Sequence, residues 1–174
     1  ELFRRAVLLD PVLFTPAMIG VMALSETLGL QLRGSLAKKA RLRRSQWPDR
    51  AAAYAGLRGR GIFKGWTDEA LWAYVEYALK ESDGGVELKC RPSREAEIFS
   101  SFPRRLWPSL DKITTPTRVP YGDRTYPFVA KSVARWCSLN PQVSAHAVVG
   151  GHCFMQEDPA DAAERVRDFL LPNP

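Results

Sequence analysis

The chain has 174 residues, of which 45% are hydrophobic, and this suits a globular protein of one-domain size. It has no apolar run of about eighteen residues and no signal-peptide pattern, so the sequence predicts neither a transmembrane helix nor secretion. The three cysteines are widely spaced and form no C-x-x-C pair. We therefore expect no metal site, no cofactor, no disulfide framework and a cytoplasmic location.

The basic residues are unevenly distributed. The formal net charge is +6, and one short segment holds a basic cluster formed by Lys38, Lys39, Arg41, Arg43 and Arg44. Such a cluster can bind nucleic acid through phosphate contacts. Aromatic residues do not interleave with these charges, however, and acidic residues are spread over the rest of the chain. We favour a solvated helix face and expect no nucleic-acid partner, with a non-enzymatic basic binding module as the alternative.

The first predicted element is a buried strand over residues 6–9. A continuous apolar run that ends at Asp10 and Pro11 is typical of a parallel-sheet strand covered on both faces. Asp10 would then lie at the carboxyl end of that strand, although an aspartate before proline is also a common turn-former. The sequence has no initial methionine and reaches this strand within a few residues, so we expect a fragment of a longer protein. Residues 1–16 are assigned to this strand and its loop.

Residues 17–108 have the pattern of helices. Apolar stripes and helix-start signals predict helices that begin near residues 17, 48, 67 and 92, the first of them running to about residue 45. A short extended piece is possible at residues 86–90. The excursion is too long for an ordinary crossover between two strands, so it predicts an inserted, all-helical lid.

The remaining residues, 109–174, alternate between strands and helices. The pattern predicts a strand over residues 117–121, a helix over 126–139 and a strand over 143–148. This alternation predicts an α/β fold with a parallel sheet. His152 follows the last strand on a glycine-hinged loop, the place where open α/β sheets carry their chemistry. A structural loop histidine, hydrogen-bonded to backbone, is an equal alternative at this point.

Several motifs resemble the C-terminal half of the α/β-hydrolase superfamily. Pro-Thr-x-Val-x-Tyr-Gly-Asp-Arg at 116–124 is similar to its penultimate strand and turn, Gly-Gly-His at 150–152 to its catalytic-histidine loop, and residues 2–11 to the strand after its nucleophile helix. The excursion would then be the family's cap domain. Motifs of the excursion resemble the branch of peroxisomal lipases and fungal toxin-biosynthesis hydrolases, namely Arg41-Leu42-Arg43-Arg44 with Trp47, Phe63-Lys64-Gly65-Trp66, and Leu88-Lys89-Cys90-Arg91-Pro92.

The resemblance implies a catalytic triad in which His152 is the general base and a carboxylate orients it. Most members place that carboxylate at the fourth residue of a G-x-x-D turn after the penultimate strand, where this chain has Thr125. The other location used in the superfamily is the end of the strand after the nucleophile, which corresponds to Asp10. We therefore expect Asp10 to be the acid, with Asp123 as the alternative, and we expect His146 to be structural.

The family's nucleophile elbow, G-x-S-x-G or its aspartate counterpart, does not occur in this sequence. The resemblance implies that an N-terminal half of the same protein carries the nucleophile and is the partner of this chain. It also implies an esterase- or lipase-like hydrolase that forms an acyl-enzyme with a small apolar ester. A hydrolase with an aspartate nucleophile, as in epoxide hydrolases or dehalogenases, is the alternative. Part of the following set would roof an apolar pocket: Phe14, Phe63, Trp66, Trp72, Tyr74, Tyr77, Met18 and Met22.

Overall fold

The computed structural model describes residues 3–29 and 35–171. The chain divides into a sheet unit (Glu1–Met18 with Arg104–Pro174) and a middle unit (Ile19–Pro103). In chain order the described helices and strands are β1 (Ala6–Val7), α1 (Pro16–Thr27), α2 (Ser35–Arg41), β2 (Gln46–Trp47), α3 (Arg50–Leu57), α4 (Asp68–Ala78), β3 (Leu79–Ser82), β4 (Gly85–Leu88), α5 (Pro92–Phe99), α6 (Leu106–Leu110), β5 (Thr117–Gly122), α7 (Pro127–Leu139), β6 (Val143–Val148), α8 (Phe154–Glu157) and α9 (Pro159–Leu170).

Three parallel strands form the sheet of the sheet unit, in the order β1–β5–β6. β5 and β6 pair along their whole length, from Thr117 opposite Val143 to Gly122 opposite Val148. The shorter β1 is extended by a further backbone hydrogen bond, in which Asp10 N donates to the carbonyl of Pro120 at 2.9 Å. The predicted α/β class with a parallel sheet is thereby confirmed. Since parallel strands end at the same edge, this topology gathers the segments after all three strands.

Helices pack on both faces of this sheet. On one face, α7 buries Val129 and Val133 completely against Val119 of β5. On the other, Val148 of β6 packs with α8 and α9 in a second cluster that includes Phe154. Fully burying an aliphatic or aromatic side chain stabilises a fold by roughly 1.5–3 kcal/mol. The two clusters therefore fix β5 and β6 from both sides and hold the ends of these strands in place.

The middle unit is not all-helical, and the prediction of an all-helical lid is wrong in this respect. Its strands form an antiparallel sheet in the order β2–β4–β3. Asp83 and Gly84 form the turn between β3 and β4, and Asp-Gly is a common hairpin signal. Val86 and Leu88 are buried and their neighbours are not. The short extended piece considered at residues 86–90 is thus found as β4, whereas β2 and β3 were not predicted.

One predicted helix is divided and another begins where it was predicted. Instead of a single helix over residues 17–45, α1 ends at Thr27 and α2 follows separately. Gly29 has a φ of +65°, the left-handed conformation that commonly terminates helices. The start signal at Thr67 is confirmed, because its side chain accepts a hydrogen bond from Ala70 N at 3.1 Å and caps α4.

The middle unit corresponds in extent to the excursion predicted over residues 17–108, although its boundaries lie at residues 19 and 103. Its role as a lid stays a prediction. Among the described helices, none is long and apolar enough to cross a membrane.

Candidate active site

Asp10 lies at the carboxyl edge of the parallel sheet, immediately after β1. Its side chain is 0% exposed. Its φ is +43°, which makes it the one residue other than glycine with a positive φ in the described part of the chain. Aspartate tolerates this conformation better than most residues, but it still costs free energy, and such strain is concentrated at functional sites. The backbone here holds a buried carboxylate in a specific direction.

Three donors converge on the Asp10 carboxylate. Gly122 N donates to Oδ2 at 2.7 Å, and the Thr125 hydroxyl donates to Oδ1 at 2.7 Å. Nδ1 of His152 lies 2.9 Å from the same Oδ1. Burying a carboxylate is costly unless its oxygens have hydrogen-bond partners, and here both oxygens have them. The partners come from the last residue of β5 and from the segments that follow β5 and β6, so the carboxylate connects the ends of all three strands.

His152 is held at one ring nitrogen, and its side chain is 33% exposed. Because a carboxylate oxygen only accepts, Nδ1 carries the hydrogen in this pair and Nε2 is left as an acceptor. The ring of Tyr126 lies beside the imidazole, with 5.3 Å between the ring centroids. This arrangement can take up a proton at Nε2 while the buried carboxylate stabilises the resulting positive charge.

The structure brings Asp10 to the imidazole, whereas Asp123 braces the loop that carries it. Oδ1 of Asp123 accepts a hydrogen bond from Gly150 N at 3.0 Å, and Asp123 N donates to the carbonyl of Val148 at 2.8 Å. Asp123 thus connects the turn after β5 to the segment after β6.

A second carboxylate, that of Glu157, fixes the histidine loop from the other side. Gly151 N donates to Glu157 Oε1 at 3.0 Å. Gly150 has a φ of +145°, and a Cβ there would clash with Phe154. The loop therefore requires glycine at this position. Hydrogen bonds from the backbone N–H groups of Gly150 and Gly151 to carboxylates hold the loop just before His152.

The contact made by Thr125 was not predicted from the sequence, which indicated only that a threonine stands where most members of the resembled superfamily have the carboxylate. In the structure the hydroxyl of this threonine donates to the carboxylate that contacts His152. The available signal was topological: a turn residue after β5 lies at the same sheet edge as a residue after β1 when the two strands are parallel neighbours.

His146 lies within β6, as predicted, and has a different environment. Burial lowers the pKa of its ring, and the positive charges of Arg165 and Arg118 lower it further, while Asp161 acts in the opposite direction. Its Nε2 atom is buried and has no hydrogen-bond partner among the described residues. The ring is therefore neutral in the folded protein near neutral pH.

The predicted aromatic set falls into separate groups. In the sheet unit, Phe14 stacks on Phe128, and Phe128 stacks on Tyr126, with centroid separations of 5.8 and 5.7 Å. These three rings form an aromatic row that ends beside His152. The middle unit has its own cluster, consisting of Phe63, Trp66 and Tyr74.

The basic cluster is partly engaged in contacts within the middle unit. Arg43 forms a half-buried ion pair with Glu95 at 2.8 Å, and Arg44 lies over the ring of Trp47. Lys38 is exposed on α2. No group of three or more histidine, cysteine or acidic side chains among residues 3–29 and 35–171 could hold a metal ion.

Comparison with solved structures finds close likeness over nearly the whole chain. The peroxisomal α/β-hydrolase Lpx1 from Saccharomyces cerevisiae matches with a TM-score of 0.74 and 17% identity, covering 100% of this chain and 48% of that protein. E-2-(acetamidomethylene)succinate hydrolase matches with a TM-score of 0.70 and 19% identity, covering 96% of this chain and 57% of that protein. The M. tuberculosis esterase Rv0045c matches with a TM-score of 0.59 and 20% identity, covering 96% and 54%.

No protein-family model and no curated protein matches this sequence. The chain spans about half the length of the solved structures it resembles. At identities near 20% the likeness concerns the fold. Together with the parallel sheet and the order of its strands, it shows that this chain has the fold of the C-terminal part of an α/β-hydrolase.

Proposed function

We propose that this chain is the C-terminal half of a carboxylic-ester hydrolase that works through an acyl-enzyme, with His152 as general base and Asp10 as the acid that orients it. The observation that carries the proposal is the 2.9 Å hydrogen bond between His152 Nδ1 and the buried Oδ1 of Asp10. A partly exposed imidazole held by a buried carboxylate is the arrangement that acyl-transfer enzymes use to move one proton twice.

The chemistry follows from the free ring nitrogen. Nε2 of His152 takes the proton of the nucleophile as that group attacks the ester carbonyl, and Asp10 stabilises the imidazolium. The imidazolium then gives its proton to the leaving alcohol as the ester C–O bond breaks. In the second half, Nε2 takes a proton from water as the water oxygen attacks the acyl-enzyme. The imidazolium then returns this proton to the nucleophile as its bond to the acyl carbon breaks and the acid is released.

The nucleophile belongs, in this proposal, to an N-terminal half of the same protein. The sequence contains no nucleophile elbow, and the resembling structures are about twice as long as the part this chain covers. Within the described residues β1 pairs with β5 on one edge alone. We place the strand that leads to the nucleophile on the other edge of β1, close to Asp10.

We propose a cytoplasmic location for the protein. Its proposed substrate is an ester with an apolar part. The aromatic row of Phe14, Phe128 and Tyr126 leads to the imidazole and offers apolar surface next to it. Pockets for small molecules are mostly lined by such side chains, with few polar groups.

The test is hydrolysis of p-nitrophenyl butyrate by the full-length protein that contains this chain. His152→Ala should lower kcat by about 10⁴-fold or more, because the proton acceptor is lost. His146→Ala is the matched control, since it removes the other histidine of the chain, which lies on the strand before the loop, and it should leave kcat nearly unchanged. Equal activity of His152→Ala and the wild type would refute the proposal.

An aspartate nucleophile is distinguished by a single turnover in ¹⁸O-labelled water. A hydroxyl nucleophile sends the label into the released acid, because water attacks the acyl carbon. An aspartate nucleophile would leave the label in the protein, because water then attacks the carboxyl carbon of that aspartate. We expect the label in the product acid.

A further inference from the structure

Thr125 is fixed at the sheet edge by its own backbone. Its N–H donates to the carbonyl of Gly122 at 3.1 Å, which closes the turn after β5. Its hydroxyl lies 2.7 Å from Asp10 Oδ1. Threonine is β-branched and therefore has few accessible rotamers, so a fixed backbone gives a well-defined hydroxyl position.

The partner of this hydroxyl is unusual among the described threonines and serines. Thr117 donates to the carbonyl of Thr115 at 2.8 Å, and Ser138 donates to the carbonyl of Arg135 at 2.7 Å. Such bonds to nearby backbone are the usual fate of a hydroxyl. Thr125 instead reaches a buried carboxylate more than a hundred residues away in sequence. Bonds to ionised acceptors are stronger than bonds to carbonyls.

The same carboxylate oxygen also contacts the imidazole. Oδ1 of Asp10 accepts from both Thr125 and His152, while Oδ2 is held by Gly122 N. The hydroxyl therefore limits rotation of the carboxylate and takes up part of the charge on Oδ1. Any effect of Thr125 on the ring is transmitted through that oxygen.

We propose that Thr125 is a positioning residue for the general base, acting through Asp10 to keep Oδ1 directed at His152 Nδ1 and to share its negative charge. This inference rests on the proposed function for its kinetic consequence, but its effect on the ring is independent of any activity.

The test compares Thr125→Val, Thr125→Ser and the wild type in the full-length protein. Valine has the same shape without the donor, whereas serine restores the donor. Thr117→Val is the matched control, because it removes another threonine hydroxyl, at the first residue of β5, that donates only to backbone. For each variant we would measure kcat and KM for p-nitrophenyl butyrate and the NMR titration midpoint of the His152 ring, assigned by its loss in His152→Ala.

We expect Thr125→Val to lower kcat roughly tenfold with little change in KM, because the carboxylate is then free to rotate and holds the imidazole less firmly. The titration midpoint of His152 should move to higher pH, because Oδ1 then offers its full charge to the imidazolium. Thr125→Ser should restore both values, and Thr117→Val should change neither.

The inference is overturned if Thr125→Val leaves the midpoint of His152 unchanged or lower, or if serine restores neither value. Failure of the proposed function gives a different result. In that case the wild type does not hydrolyse the ester, yet Thr125→Val still raises the midpoint and Thr125→Ser still reverses the rise. In that case the positioning role of Thr125 is supported, although the protein does not hydrolyse the ester.

Discussion

The loop after β6 and the middle of β6 each carry a histidine, and the two sites differ in what faces the ring. His152 has a buried carboxylate on Nδ1 and a partly exposed side chain. His146 has a buried Nε2 with no partner in the described part of the chain, and Arg118 and Arg165 act on it electrostatically. We propose that the ring beside the carboxylate carries a proton in catalysis, whereas the partly buried ring of His146 is neutral near neutral pH. The groups that face each ring account for this difference.

The largest expected effect comes from removing the acceptor. Asp10→Asn should lower kcat by about 10⁴-fold, because the amide cannot balance an imidazolium charge and can favour the wrong ring tautomer. The measurement is kcat for p-nitrophenyl butyrate in the full-length protein, with folding checked by thermal melting. Asp123→Asn is the matched comparison, and it should cost much less, because Asp123 braces Gly150. The opposite ranking would overturn the choice of acid.

Moving the acceptor should recover part of the loss. Thr125 Oγ1 lies 2.7 Å from the Asp10 oxygen that contacts His152. An aspartate at position 125 therefore brings a carboxylate into the same region. We expect Asp10→Asn combined with Thr125→Asp to be at least about tenfold more active than Asp10→Asn alone. Equal activities of the double variant and Asp10→Asn would mean that a carboxylate at position 125 cannot replace the one at position 10.

A smaller effect is expected from the support of the histidine loop. Glu157→Ala removes the acceptor of Gly151 N and should lower kcat roughly tenfold, because the loop then holds His152 less firmly. Glu164→Ala is the control, since Glu164 is an exposed carboxylate of α9 in a loose surface ion pair, and it should have no effect. If the two variants behave alike, Glu157 has no part in holding the loop.

The features of the candidate site differ in how far the sequence could predict them. The pairing of Asp10 with His152 follows from the alternation of strands and helices and from family motifs. The positive φ of Asp10 and the contact made by Thr125 depend on strand order and register, which no local pattern contains.

The wrong predictions for the secondary structure of the middle unit have a similar origin. The strands that were not predicted, β2 and β3, have only two and four residues, and alternation over so few positions cannot be separated from a helical pattern. The division of the helix predicted over residues 17–45 depends on the backbone conformation of one glycine, Gly29.

The smallest effect concerns stability at acid pH. The lowered pKa of His146 means that the unfolded chain binds a proton more readily than the folded one. The contribution of His146 to stability is fully present above about pH 6.5, the ordinary pKa of histidine in an unfolded chain. It is lost as the pH falls from that pKa toward the lower pKa of the folded state. His146→Gln should therefore slightly narrow the difference in melting temperature between about pH 7.5 and about pH 5.5. An unchanged difference would show that the ring does not titrate on unfolding.

The measurement that tests the central claim most directly is the proton NMR signal of the His152 Nδ1–H in the full-length protein. A hydrogen held between Nδ1 and a buried carboxylate, as the 2.9 Å contact with Asp10 requires, should exchange slowly with water and resonate far downfield. We predict that this signal is present in the wild type and in His146→Gln, and that it disappears in Asp10→Ala. A signal that survives the loss of the Asp10 carboxylate would contradict the account.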